Sequence, residues 1–218
     1  MGVKTMRAYH LMPEKWALES LDKKRLKLAL FDDMNDPFEL LGVELGSPQD
    51  RVDFQSLKDE LNQTIGVLCF SKVSNNPVLW SHYADKHRGL GLGFDIPDEW
   101  AVEVSYTGAR LKAEMEHSLP SERRNSFGHK LLTTKFSHWR YEKEVRIIIK
   151  KEDTHSEDGL HFLPYCNALR LREVIIGPRS SLTAAHITER IKSCSDDFEI
   201  IKARLAFRSF KVVRNRAL

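Results

Sequence analysis

Residues 139–149 read Trp-Arg-Tyr-Glu-Lys-Glu-Val-Arg-Ile-Ile-Ile, so two carboxylates, Glu142 and Glu144, stand just ahead of a β-rich apolar run. In an extended chain residues i and i+2 share a face. Extended geometry from Glu142 onward predicts Glu142, Glu144, Arg146 and Ile148 on one face, with Val145, Ile147 and Ile149 on the other. The second set reads as core. The first is two acids and a base at the mouth of a sheet. Paired carboxylates can divide acid and base roles, because each charge raises the other's pKa. A glutamate at a strand start can also stabilise an oxocarbenium-like centre, as glycosidases do. The same residues also make an ordinary Glu144–Arg146 ion pair, worth about 0–1 kcal/mol if exposed. On residue types alone the two readings weigh the same.

Positioning these groups requires a sheet and helices to back it. A helix is expected over 13–22, opening on a proline and a glutamate. Leu26, Leu28 and Leu30 alternate with other residues as a half-buried strand. Asn35-Asp36-Pro37-Phe38-Glu39 breaks that strand as a turn, with Phe38 tucked beneath it or with the loop facing a ligand. Residues 42–53 read as a loop. A helix follows on the stripe Phe54, Leu57, Leu61 and Ile65, capped by Asp53. Residues 67–71 form a compact buried strand.

Trp80, Tyr83, Ala84 and His87 share a helical face, His82 points elsewhere, and Arg88-Gly89 closes the helix. Leu90, Leu92 and Phe94 alternate with Gly91 and Gly93, a strand whose glycine face admits close approach. Residues 101–106 alternate again, 120–132 read as a polar helix, and 152–160 as a polar, mobile loop. A buried strand at 173–176 runs into Gly177-Pro178-Arg179-Ser180, read as a serine-capped turn into a helix that buries Ala184, Ile187 and Ile191. Strands at 198–204 and 209–214 end the chain. Helices and strands mix without regular βαβ spacing, which predicts an α+β fold: one domain, 1–218, with a mixed or antiparallel, split sheet flanked by helices.

The bulk composition narrows the function. The 218 residues are 41% hydrophobic and 30% charged, enough for one packed core. The net charge of +3 does not by itself argue for nucleic acid. Its distribution is uneven: no acid follows Glu199, while Lys202, Arg204, Arg208, Lys211, Arg214 and Arg216 do. Such a run can meet phosphates, and more often guards a strand edge. Cys69, Cys166 and Cys194 are far apart and make no C-x-x-C, so reduced thiols in a cytoplasmic protein are expected. No secretory signal, myristoylation motif or bilayer-length apolar run is visible, so no membrane partner is expected. His10, His82, His87, His129 and His138 are too scattered to suggest a metal site. The chain has no G-x-S-x-G, and Gly177-Pro178-Arg179-Ser180 lacks the pattern of a phosphate loop.

Five segments taken together resemble a widespread bacterial family catalogued only as a domain of unknown function. They are Asn35-Asp36-Pro37-Phe38-Glu39, Phe70-Ser71, Leu79-Trp80-Ser81-His82-Tyr83-Ala84-Asp85 with Gly89, residues 139–147, and Ile175-Ile176-Gly177-Pro178. The resemblance covers nearly the whole chain and implies a shared fold. Val145 departs from a frequent tryptophan, and Leu11 from a common aromatic.

A second resemblance is to ADP-ribosyltransferases. These hold NAD in a split mixed sheet with an early His or Arg, a middle Ser or Tyr, and a late strand that begins with a catalytic Glu. Here Arg7 or His10, Phe70-Ser71 and Glu142-Lys143-Glu144 follow that order, although the middle motif is not a full Ser-Thr-Ser. The resemblance implies NAD as substrate. Glu144 would bind the nicotinamide ribose and stabilise the oxocarbenium-like state, and Glu142 would position or deprotonate the acceptor. His10 would hold the other ribose, and Tyr83 or Trp80 would stack on nicotinamide. Tyr9, Asn35, Ser71, His82 and Arg146 complete the NAD-binding set.

The function expected is an NAD-consuming transferase or NAD glycohydrolase, a toxin or defence effector. Its acceptor would be a macromolecule, with an antitoxin or defence partner. The alternatives are a nucleic-acid-acting protein, nuclease or binding module, and a non-enzymatic scaffold around a buried polar network of Trp80, His82, Glu144 and Arg146.

Overall fold

The computed structural model describes residues 4–112, 121–166, 169–191 and 198–216. Strand β1 (Thr5–Met12) leads into helix α1 (Glu14–Lys23), then β2 (Arg25–Lys27), α2 (Pro48–Thr64) and β3 (Ile65–Ser71). Helix α3 (Pro77–Tyr83) precedes β4 (Leu90–Pro97), β5 (Val102–Glu103) and β6 (Ser105–Thr107). Then come α4 (Ser121–Leu132), β7 (Thr134–Phe136), a 3-10 turn (Ser137–Glu142) and β8 (Glu144–Lys150). The rest is β9 (His155–Glu157), β10 (Leu160–Pro164), β11 (Arg170–Ile176), α5 (Ala184–Arg190), β12 (Glu199–Leu205) and β13 (Val212–Arg214). The fold is α+β. Its principal sheet has eight strands in the order β13-β12-β11-β4-β1-β3-β8-β5, antiparallel except where β11 and β12 run parallel. Among the described residues, no helix is long and apolar enough to cross a membrane.

Two faces of this sheet bury two kinds of core, as period-two side-chain alternation requires. Ala8, Phe70, Leu92, Phe94 and Ile147 pack with Ala17 and Leu21 of α1 and Ile187 of α5. On the other face Val67 joins Phe54 of α2 and Phe127 and Leu131 of α4. Beside that second cluster, Trp80 and Ala84 pack with Ile175, Ala203 and Val212. The glycine face of β4 is what lets aromatics in. The Trp80 ring would stand 3.5 Å from a Cβ at Gly91, and the Tyr9 ring 3.0 Å from one at Gly93.

The feature that matters for function is a gap between β1 and β3. They are neighbours through one residue pair, Tyr9 with Ser71. Beyond it the half-buried His10 ring sits between them, with Nδ1 2.7 Å from the Cys69 carbonyl. The freed edge of β3 pairs instead with Ala29, whose N–H donates to Val67 O at 2.9 Å and whose carbonyl accepts from Val67 N at 3.0 Å. The sheet is therefore held only loosely between its five-strand side, ending at β1, and its three-strand side, beginning at β3.

Several local expectations are corrected. Helix α2 begins within the expected loop: Ser47 caps it and Asp50 returns the bond, with Pro48 in the first turn, so Asp53 is interior. Ile65 starts β3 rather than ending the helix. Strand β2 covers only Arg25–Lys27, the start of the alternation expected through Leu30. The polar stretch 152–160 contains β9 and the turn to β10, with Asp158 and Gly159 at positive φ. Thr183, not Ser180, caps α5, and Ala184 is exposed. Phe38 is 52% exposed, so the turn at 35–39 tucks Glu39 beneath it instead. Pro120 and Cys194 lie outside the described residues.

Candidate functional site

The split opens into a cavity of about 260 Å³ whose lining includes Tyr9, His10, Asn35, Ser71, Tyr83, Lys135, Glu142 and Glu144. It lies on the sheet face carrying Tyr9, Ser71 and Glu144, between α3 and the turn that holds Met34 and Asn35. The early, middle and late segments of the sequence thus meet as three adjacent strands, β1, β3 and β8.

The two carboxylates reach this cavity by a different route from the one expected. Glu142 is not in the strand. It ends the 3-10 turn, and Lys143 then adopts a left-handed conformation, φ 46°, before β8 begins at Glu144. Ser71 Oγ donates to the Glu142 carbonyl at 2.5 Å and pins the turn to the end of β3. The kink brings both carboxylates to one cation: Lys135 Nζ lies 2.7 Å from Glu142 and 3.1 Å from Glu144. The Tyr83 hydroxyl donates to the other Glu142 oxygen. Glu144 is further held by Arg146, Nε to Oε1 at 2.8 Å and Nη2 to Oε2 at 3.3 Å. Arg146 Nη1 then reaches Glu39 at 2.6 Å and the Leu132 carbonyl at 2.8 Å. The other Glu39 oxygen is buried without a hydrogen-bond partner among the described residues.

The two acids are equally buried, 4% and 5% exposed, yet they titrate in opposite directions. Burial raises the pKa of Glu142, and the Lys135 charge and Tyr83 bond only partly offset it. Burial acts on Glu144 in the same sense, but Arg146 and Lys135 outweigh it and hold Glu144 down at about 2. Charge counting says the same. Among the described residues, Glu39, Glu142 and Glu144 face only Lys135 and Arg146, which leaves one carboxylate more than these two cations neutralise. Lys135 and Arg146 are raised despite their burial. Burial pushes the Tyr83 phenol far up and lowers the His10 imidazole, which favours its neutral form.

Three residues of the expected site lie elsewhere. Trp80 is fully buried in an apolar cluster and donates Nε1–H to the Ser74 carbonyl at 2.6 Å, so no ligand can stack on it. His82 is exposed on the outer side of α3 and stacks on Tyr141 with centroids 6.3 Å apart. Arg146 is 0% exposed behind Glu144, where it orients the acid rather than meeting a ligand. Arg7 is also remote, paired with Asp95 and Glu173. The expected polar network of Trp80, His82, Glu144 and Arg146 therefore does not form. The buried network is Glu39, Lys135, Glu142, Glu144 and Arg146.

Sequence reasoning gives no role to Lys135 and places Glu39 only within the turn at 35–39. Among the described residues, no group of three or more His, Cys, Asp or Glu side chains is placed to hold a metal ion. No family model, curated protein or solved structure matches the chain.

Proposed function

We propose that this protein breaks the nicotinamide glycosidic bond of NAD and transfers ADP-ribose to a macromolecule or to water, as a cytoplasmic toxin or defence effector. The observation that carries the reading is the unequal carboxylate pair at the floor of the split. The C1′–N bond breaks with its electron pair leaving on nicotinamide, and the ribosyl centre becomes cationic. The uncompensated negative charge beneath it stabilises that centre. The acceptor adds at C1′ and gives its proton to Glu142, whose raised pKa suits a general base. Glu144 is fixed by Arg146 and Lys135, so it orients Lys135 and supplies field rather than exchanging protons. His10, Tyr9 and Asn35 line the wall where a ribose and its base would lie. The cavity suits a nucleoside-sized group, the reactive half of the dinucleotide.

One observation favours a second reading, a purely architectural network. Each oxygen of Glu142 and Glu144 already has a protein partner. Glu142→Gln separates the two. In the enzyme it abolishes nicotinamide release from NAD while thermal stability holds or rises, since a misfit charge is removed. In a scaffold it lowers the melting temperature, and wild type releases no nicotinamide.

A further inference from the structure

We infer that the hairpin tip joining β12 to β13 docks single-stranded nucleic acid. Phe207 and Phe210 are 90% and 97% exposed, and Leu205 is 52% exposed. The tip is held in place. Ala206 N–H donates to the Lys211 carbonyl and Lys211 N–H to the Ser209 carbonyl, both at 2.9 Å. Ala203 and Val212 anchor its base against Trp80. A folded chain that presents two phenyl rings on a rigid tip loses their burial energy unless a partner covers them.

Charge and stacking identify the partner. The Arg204 guanidinium lies 4.6 Å above the Phe207 ring. Arg208 and Lys211 are exposed with no ion-pair partner among the described residues. No acidic residue follows Glu199 in the sequence. Flat rings interleaved with cations stack bases while the cations follow the phosphates.

An anionic bilayer would also attract such a tip, but a strand needs a second platform along its path, and one exists. Val212 N–H donates to the Asn75 carbonyl at 2.9 Å, and the next residue, Asn76, donates to the Tyr141 carbonyl at 3.1 Å. Tyr141 stacks with His82 and lies 6.0 Å from Trp139, centroid to centroid. Tyr141 is also the neighbour of Glu142, so a strand tracked from the tip arrives at the lip of the cleft.

Binding does not depend on the NAD reading and is measured without NAD, by fluorescence anisotropy with labelled oligothymidine and oligouridine strands across a salt series. Wild type binds single strands more tightly than duplex. Phe207→Ala with Phe210→Ala weakens binding about tenfold or more, and the paired Phe→Tyr variant restores it. R208E with K211E weakens binding and reduces the slope of log K against log salt by about 0.7 per lost phosphate contact. The inference is overturned if wild type binds no single strand. It is also overturned if duplex binds equally and the Phe pair is indifferent, or if the Phe pair drives binding only to phosphatidylserine vesicles.

Discussion

Two clusters of acids and guanidinium groups sit on the same sheet and differ in depth and in balance. At the open groove by β1, β4 and β11, Arg7 and Arg172 share Asp95 at 2.7 and 2.8 Å, and Arg7 also meets Glu173. Among the described residues the ion pairs there join two acids to two bases, with side chains 20–34% exposed. At the cleft floor, among the described residues, three acids face two bases, with side chains 0–8% exposed. Water can compensate any imbalance at the groove. It cannot at the floor, where an unmatched charge must be suppressed by protonation or met by a ligand. The same residue chemistry is thus a surface staple in one place and a buried, charge-unbalanced network in the other, and burial together with unequal count makes the difference.

The sharpest way to break that contrast is Arg146→Met. Methionine fills similar volume but leaves Glu39 buried without its cation and Glu144 with Lys135 alone, so stability should fall by about 3–5 kcal/mol, read from the urea midpoint. Arg172→Met at the groove should cost about 1 kcal/mol or less on the same measurement. Equal losses would mean that depth does not distinguish the clusters.

Next in size is the pH response. The Glu144 carboxyl has an ordinary value of 4.5 and is held at about 2 in the fold. The unfolded chain therefore takes up its proton first as pH falls. Stability from this group is present above about 4.5 and is lost as pH drops toward about 2. Glu142 has the opposite sign. Its raised pKa makes the fold hold a proton that the unfolded chain releases, so its contribution is full below the ordinary value and is lost as pH rises through the elevated one. Melting curves across pH should show Glu144→Gln flattening the acid limb. Glu142→Gln should raise stability at neutral pH, by about 0.5–2 kcal/mol. An unchanged acid limb in Glu144→Gln would show that the ion pair with Arg146 is not what depresses it.

How much of this was legible in the sequence follows from how local each cause is. Glu142 and Glu144 stood out because charge before an apolar run is unusual. Arg146 sharing a face with Glu144 follows from the strand period alone. The α+β class was readable from the mix of elements, alternation marked β4 and the β5–β6 region, and apolar runs marked β3 and β11, whereas β1, β7, β9 and β10 are not among the expected strands. The kink at Lys143 was not, because nothing in Glu-Lys-Glu demands a left-handed lysine. That conformation is imposed by Ser71 gripping the Glu142 carbonyl, 71 residues away. Glu39 is 107 residues from Arg146, and Lys135 meets Glu142 and Glu144 only because the chain folds back through the turn at 137–142, so packing rather than local pattern joins them in one network. The face expected to carry Trp80, Tyr83, Ala84 and His87 is broken, since the helix ends at Tyr83 and His87 lies beyond it; Trp80 turns into the apolar cluster and Tyr83 into the cleft, which depends on the sheet order. Other misses were avoidable. The Ser47-Pro48-Gln49-Asp50 cap and the Asp158-Gly159 turn are local signatures present in the chain.

The smallest expected effect tests the groove itself. Asp95 is held below its ordinary pKa, since Arg7 and Arg172 outweigh the effect of its partial burial. Solvent still reaches all four side chains, so Asp95→Asn should cost only about 0.2–1 kcal/mol. That cost should shrink further near 1 M salt, where the screening length is about 3 Å. At the floor the corresponding loss in Arg146→Met should be nearly unchanged by salt, because ions cannot enter beside a group with no exposed surface. The salt dependence of the two variants, measured side by side in urea, therefore reports depth independently of the size of either loss. A strong salt effect at Arg146 would mean that the floor opens to solvent, and the uncompensated carboxylate there would no longer need a ligand or a proton to be tolerated.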